Sequence, residues 1–252
     1  VAYPRLIAGT SAKIPPLGTG GFRACSGAVT TNVTDLAQWD ESIQLDWWLD
    51  ATTQLVTLTI GGNDVQFSDF ATACVLNTCQ VGSTAYNTSL NEINNNLPTK
   101  LEATYKRILQ YAPNAEIYVL GYPQVVASKQ SSDQFDSRCF YMYNSGSNST
   151  GSPYYPREDS WAARDIVAKL NTKISIAVAN VRALNTSNTR LTYVQMDAAG
   201  SPFIGHEVCG TDSTSWFQNV DQALNNLAYV FHPNDLGQEG YATVAGATIN
   251  FG

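Results

Sequence analysis

Two histidines occur in the chain, and one of them sits where an imidazole can work as a base. His232 lies in FHPND, at a junction of loop and helix, where a side chain projects from the edge of a sheet. His206, in SPFIGHEVCG, stands three residues before Cys209 and reads as a structural hydrogen-bonding group. The next candidate is Asn63, in GGND at the end of a β-branched run. Its carboxamide can donate to a developing oxyanion, and the preceding glycines let a substrate approach the backbone. Gly27, in ACSGA, offers a backbone N–H to the same point. Two fixed donors in a water-poor site lower the barrier of acyl transfer by several kcal/mol. A base and two such donors are parts of an acyl-transfer centre.

Those residues need rigid elements behind them. LVTLTIGGND (55–64), EIYVLGYPQ (116–124) and RLTYVQMD (190–197) are apolar runs that read as buried strands, and GFRACSGAVT (21–30) is a shorter fourth. Helical segments lie between them. PTKLEATYKRILQYAP carries Leu101, Tyr105, Ile108 and Leu109 on one stripe between Pro98 and Pro113. REDSWAARDIVAKLNTKISIAVANVRAL is acidic at its start and has Arg182 near its end, as a helix dipole prefers. DLGQEGYATVAGATIN is a last helix, expected to be frayed by its glycines. Strands alternating with helices predict an α/β domain with a parallel sheet covered on both faces. Ligands of such sheets collect at the carboxyl ends of strands, which is where Gly27 and Asn63 fall. The insert CFYMYNSGSNSTGSPYYPRED (139–159) reads as a glycosylated surface loop, ahead of an aromatic rim beside a substrate cleft.

Composition narrows the setting. The 252 residues are 44% hydrophobic and 14% charged, enough apolar material for a sizeable core, and the net charge is −7. Lys and Arg do not cluster, so nucleic acid is disfavoured as a partner. No apolar run approaches a membrane span, and no Cys/His spacing suggests a metal site. The opening VAYPRLIAGTSAKIPP does not have the pattern of a signal peptide. Five cysteines and sequons at Asn32, Asn87, Asn148 and Asn185 fit a secreted glycoprotein. Cys74 and Cys79 are close enough to close a tight loop, and Cys139 with Cys209 forms a long-range pair. Cys25 is left over.

FRACSGAVTTNV, VTLTIGGNDVQF, EIYVLGYPQ and FHPNDLGQEGYA, in that order, resemble the later blocks of the SGNH (GDSL) hydrolases. The similarity is to their secreted, disulfide-bonded lipase and esterase branch, and it runs over nearly the whole chain. It implies a three-layer α/β/α sandwich with a mostly parallel sheet, and a serine ester hydrolase working through an acyl-enzyme without cofactor or metal. Carried over, Gly27 and Asn63 are the oxyanion donors and His232 is the base. The family's nucleophile sits in a GDS block on the first strand, and this chain contains neither GDS nor a GxSxG elbow. GTDS (210–213) lacks the strand context, and Ser26 precedes the oxyanion glycine and points the wrong way.

The expectation is therefore a single domain over residues 1–252 that lacks its N-terminal strand, with the nucleophile on a segment outside the chain. The resemblance also gives Cys25 a partner on that segment. Many relatives place Asp three residues before the histidine, where this chain has Tyr229. The main-chain carbonyl of Tyr229 is then the group that orients the imidazole, ahead of Asp235 or Asp221. The expected substrate is a lipid ester or an acylated carbohydrate. The rival readings are a glycan- or lipid-binding module that has lost catalysis and a structural extracellular domain.

Overall fold

The computed structural model describes residues 1–9, 14, 16–18, 21–46, 49–76, 78–127, 158–208, 215–218 and 231–249. Its sheet has three parallel strands in the order β1 (Leu55–Leu58), β2 (Glu116–Leu120) and β3 (Leu191–Val194). Val56 stands opposite Ile117, and Ile117 opposite Leu191. These are the three longer runs read from the sequence. The fourth, GFRACSGAVT, is not a strand. It turns over Cys25–Ala28 and enters a short helix at Thr30, because Gly27 takes a φ of 76° that breaks the extended path.

The helices are α1 (Tyr3–Ile7), α2 (Thr30–Thr34), α3 (Phe67–Leu76), α4 (Thr84–Asn91), α5 (Leu97–Tyr111), α6 (Glu158–Leu184) and α7 (Asp235–Thr248). Helices cover both sides of the sheet, making an α/β fold, with α5 packed on α6 and α1 packed on α7. The stripe on α5 is the buried one: Leu101, Tyr105 and Ile108 are fully enclosed, and Leu109 is buried. The Arg190 guanidinium closes the carboxyl end of α5 by donating to the carbonyls of Leu109, Ala112 and Ala115. Helix α4 is Thr-, Asn- and Ser-rich and weak in intrinsic propensity. Ser83 caps it at the Tyr86 N–H, Tyr86 and Ser89 are buried, and a π-helical turn (Glu92–Asn96) joins it to α5. The loop between α3 and α4 is closed by the Cys74–Cys79 disulfide.

Helix α7 is continuous, and two of its glycines, Gly237 and Gly240, are a packing surface rather than a source of fraying. A Cβ on Gly237 would stand 2.2 Å from the Trp216 carbonyl oxygen. Helix and segment approach that closely only because the side chain is absent.

The two edges of the sheet differ. On β2, the residues from Ile117 to Leu120 are all buried, whereas every residue of β1 is only half-buried. Strand β1 pairs on one edge alone, and a cavity of about 920 Å³ runs along it past Leu55, Val56, Thr57 and Leu58. Among the described residues no helix is long and apolar enough to cross a membrane, and no cluster of His, Cys, Asp and Glu is placed to hold a metal ion. The 139–157 part of the insert, with Cys139 and Asn148, lies outside the described residues, as does Cys209.

Candidate active site

One end of the cavity is built from the loops at the carboxyl end of β1 and at the start of α2. Asn63 follows β1 by a tight turn. Its carboxamide Nδ2 donates to the Ala28 carbonyl at 3.0 Å, bringing it against the turn that contains Gly27. A carboxamide nitrogen carries two N–H bonds, so the second is available to a ligand. The turn itself closes by a hydrogen bond from the Ala28 N–H to the Cys25 carbonyl, and the Gln38 side chain holds it from outside by donating to the Ser26 carbonyl at 2.8 Å.

The residue after Asn63 does as much to assemble this corner, and the sequence reading passed over it. Asp64 is 7% exposed. Its carboxylate accepts from the Thr30 N–H at 2.9 Å and the Thr30 hydroxyl at 2.6 Å, with the Lys100 ammonium 3.6 Å away. Neighbouring side chains thus tie the strand loop to the α2 loop at two points, Ala28 and Thr30. No local pattern signals a contact across 34 positions. Asp64→Ala is expected to lower stability by about 2–4 kcal/mol, because it strips a buried N–H and a hydroxyl of their acceptor. A denaturant titration measures it.

His232 lines the same cavity. Residues 215–218 and 231–234 run antiparallel: the Gln218 N–H donates to the His232 carbonyl at 2.8 Å, and the Asn234 N–H to the Trp216 carbonyl at 2.9 Å. Asn234 then caps α7 by accepting from the Gly237 N–H, and its own amide donates to the Ser215 carbonyl. Phe231, immediately before the histidine, is held at φ 66°, a left-handed conformation that costs a bulky residue about 1–2 kcal/mol. It is buried, and its N–H donates to the Gln218 carbonyl. Nothing in a phenylalanine's type announces such a conformation.

The structure therefore lines a single cavity with Gly27, Asn63 and His232. It places the other candidates elsewhere. His206 stacks on Trp216, with ring centroids 4.2 Å apart and the planes 7° from parallel. The Asp235 carboxylate is exposed, in the first turn of α7. Tyr229 and Asp221 lie outside the described residues. Cys25 is half-buried in the cavity wall without a disulfide partner. Asn87 and Asn185 are exposed, whereas Asn32 is half-buried and its Oδ1 accepts from the Val29 N–H.

Comparison with known proteins places the chain in a family. The family model described as GDSL-like lipase/acylhydrolase matches residues 2–239. The chain belongs to that family. It is 30% identical to Lipase 1 of Streptomyces coelicolor over 222 residues, covering 88% of this chain and 67% of the relative. With a lipase of Streptomyces rimosus it shares 28% identity over 224 residues, 88% of this chain and 68% of the relative. The structure resembles the crystal structure of phospholipase A1 from Streptomyces albidoflavus NA297 at a TM-score of 0.69 and 29% identity, covering 98% of this chain and 85% of that one. A second similar structure, the extracellular lipase from Streptomyces rimosus, has a TM-score of 0.66 and 25% identity, with coverages of 98% and 86%. Family and relatives together support ester hydrolysis as the activity.

Proposed function

We propose that residues 1–252 form the larger part of one secreted serine ester hydrolase domain, whose nucleophile is a serine on an N-terminal segment outside this sequence. That segment adds a strand to the open edge of β1 and brings the serine to the cavity that Gly27, Asn63 and His232 line. His232 takes the proton from the serine hydroxyl as the oxygen attacks the ester carbonyl. The Gly27 N–H and the free Asn63 N–H stabilise the oxyanion of the tetrahedral intermediate. The imidazolium then protonates the departing alcohol, leaving an acyl-enzyme, and water repeats the sequence with His232 as base. The Tyr229 main-chain carbonyl orients the imidazole.

The observation that carries this reading is the joint lining of one cavity by the three residues, beside a strand with one edge unpaired among the described residues. An unpaired parallel strand exposes backbone groups that a neighbouring strand would satisfy. Cys25 in the same wall is placed to bond a cysteine of the arriving segment. The Cys74–Cys79 disulfide and the exposed sequons at Asn87 and Asn185 favour secretion. A lipid ester is the preferred substrate class over an acylated carbohydrate, since the relatives this chain resembles are named lipases and a phospholipase A1. Hydrolysis of p-nitrophenyl esters of graded acyl length tests it: full-length protein should turn over, and residues 1–252 alone should not. Equal turnover by both would remove the need for an external nucleophile.

A further inference from the structure

The loop that presents Asn63 is held from beneath as well as from the α2 side. Beneath it, Tyr122 extends from the loop after β2, and its hydroxyl oxygen accepts from the Gly62 N–H at 2.9 Å, across 60 positions of sequence. Tyr122 is itself clasped through both backbone groups. Asn171, on α6 and 5% exposed, accepts from the Tyr122 N–H at 2.8 Å and donates to the Tyr122 carbonyl at 2.7 Å. Its remaining amide hydrogen goes to the Asp197 carboxylate at 2.9 Å, just past β3. Every polar atom of the Asn171 side chain is thereby used, so the amide has one orientation and Tyr122 one backbone position. Burial keeps the Tyr122 phenol far above its ordinary value, against the pull of the Gly62 N–H, and the Asp64 charge adds to the rise. The group stays neutral at any working pH.

We propose that Tyr122 is a positioning residue for the oxyanion donor Asn63: its phenol oxygen fixes the Gly62 amide and so sets the direction of the Asn63 carboxamide. The chain Asp197–Asn171–Tyr122–Gly62 transmits the order of the sheet's far side to the turn. A pure packing role would need the ring alone. Asn63 gives one of its two N–H bonds to Ala28, so the aim of the other depends on the backbone at Gly62, and a small rotation there misdirects it. This rests on the oxyanion role proposed above for Asn63.

Tyr122→Phe removes the oxygen and keeps the ring. In full-length protein, kcat on a p-nitrophenyl ester is expected to fall about three- to tenfold with KM unchanged, the size of one lost hydrogen bond. In an Asn63→Ala background the same change is expected to alter kcat less than twofold, since the group it aims is gone. Amide exchange at Gly62 is expected to accelerate about tenfold, and the carboxamide NMR signals of Asn63 to move. A full additional loss of kcat in the Asn63→Ala background would show that Tyr122 acts by packing and would overturn the proposal. So would unchanged Gly62 exchange and Asn63 signals. If wild-type protein hydrolyses no ester, the functional reading fails, and the NMR outcome still decides whether Tyr122 sets the turn.

Discussion

Replacing His232 with alanine in the full-length protein is expected to lower kcat/KM on an ester by about a thousand- to ten-thousand-fold, while the protein stays folded. The size follows from the role. Without a base the serine must attack as a neutral hydroxyl and the alcohol must leave unprotonated, so both proton transfers lose their carrier. The unchanged fold follows from the structure. His232 is exposed, and two backbone hydrogen bonds anchor its loop: the Gln218 N–H on the His232 carbonyl and the Asn234 N–H on the Trp216 carbonyl. Alanine keeps both. Steady-state kinetics and a thermal melt check the two halves, and a variant with more than a tenth of wild-type kcat/KM would remove His232 from the chemistry.

The second large effect is at Asn63. Asn63→Ala is expected to reduce kcat by about a hundred- to a thousand-fold, with KM within a few-fold of wild type, because an oxyanion donor acts on charge that exists only in the transition state. The substitution also frees the Ala28 carbonyl, yet Asp64 still holds Thr30 two residues on, so the α2 loop stays attached. That separation lets the kinetic loss be read as catalysis. A rise in KM with kcat preserved would instead make Asn63 a substrate-binding group.

How far the sequence announced this arrangement depends on the range of each interaction. The strands came from compact apolar runs ended by glycine or proline turns, and α5 from a stripe that repeats with the helix period, both local patterns. Asn63 and His232 could be singled out because each sits in a short segment with its own turn or cap chemistry. Long-range determinants leave no such mark. Asp64 reads as the tail of GGND, yet it binds Thr30, and Tyr122 reads as part of a turn, yet it holds Gly62. The glycines of α7 looked like weaknesses until Trp216 was seen against Gly237. Phe231 at φ 66° follows from the strand-like pairing of 215–218 with 231–234, which no residue type in either segment encodes.

We propose that the attacking hydroxyl reaches this cavity from polypeptide beyond residues 1–252. Labelling of the full-length protein with a fluorophosphonate, followed by peptide mass mapping, tests it most directly. One phosphonylated serine is expected, on a segment N-terminal to Val1, with labelling abolished by His232→Ala. A label on Ser26 or on any other serine of residues 1–252, or ester hydrolysis that persists with no serine labelled, would contradict it.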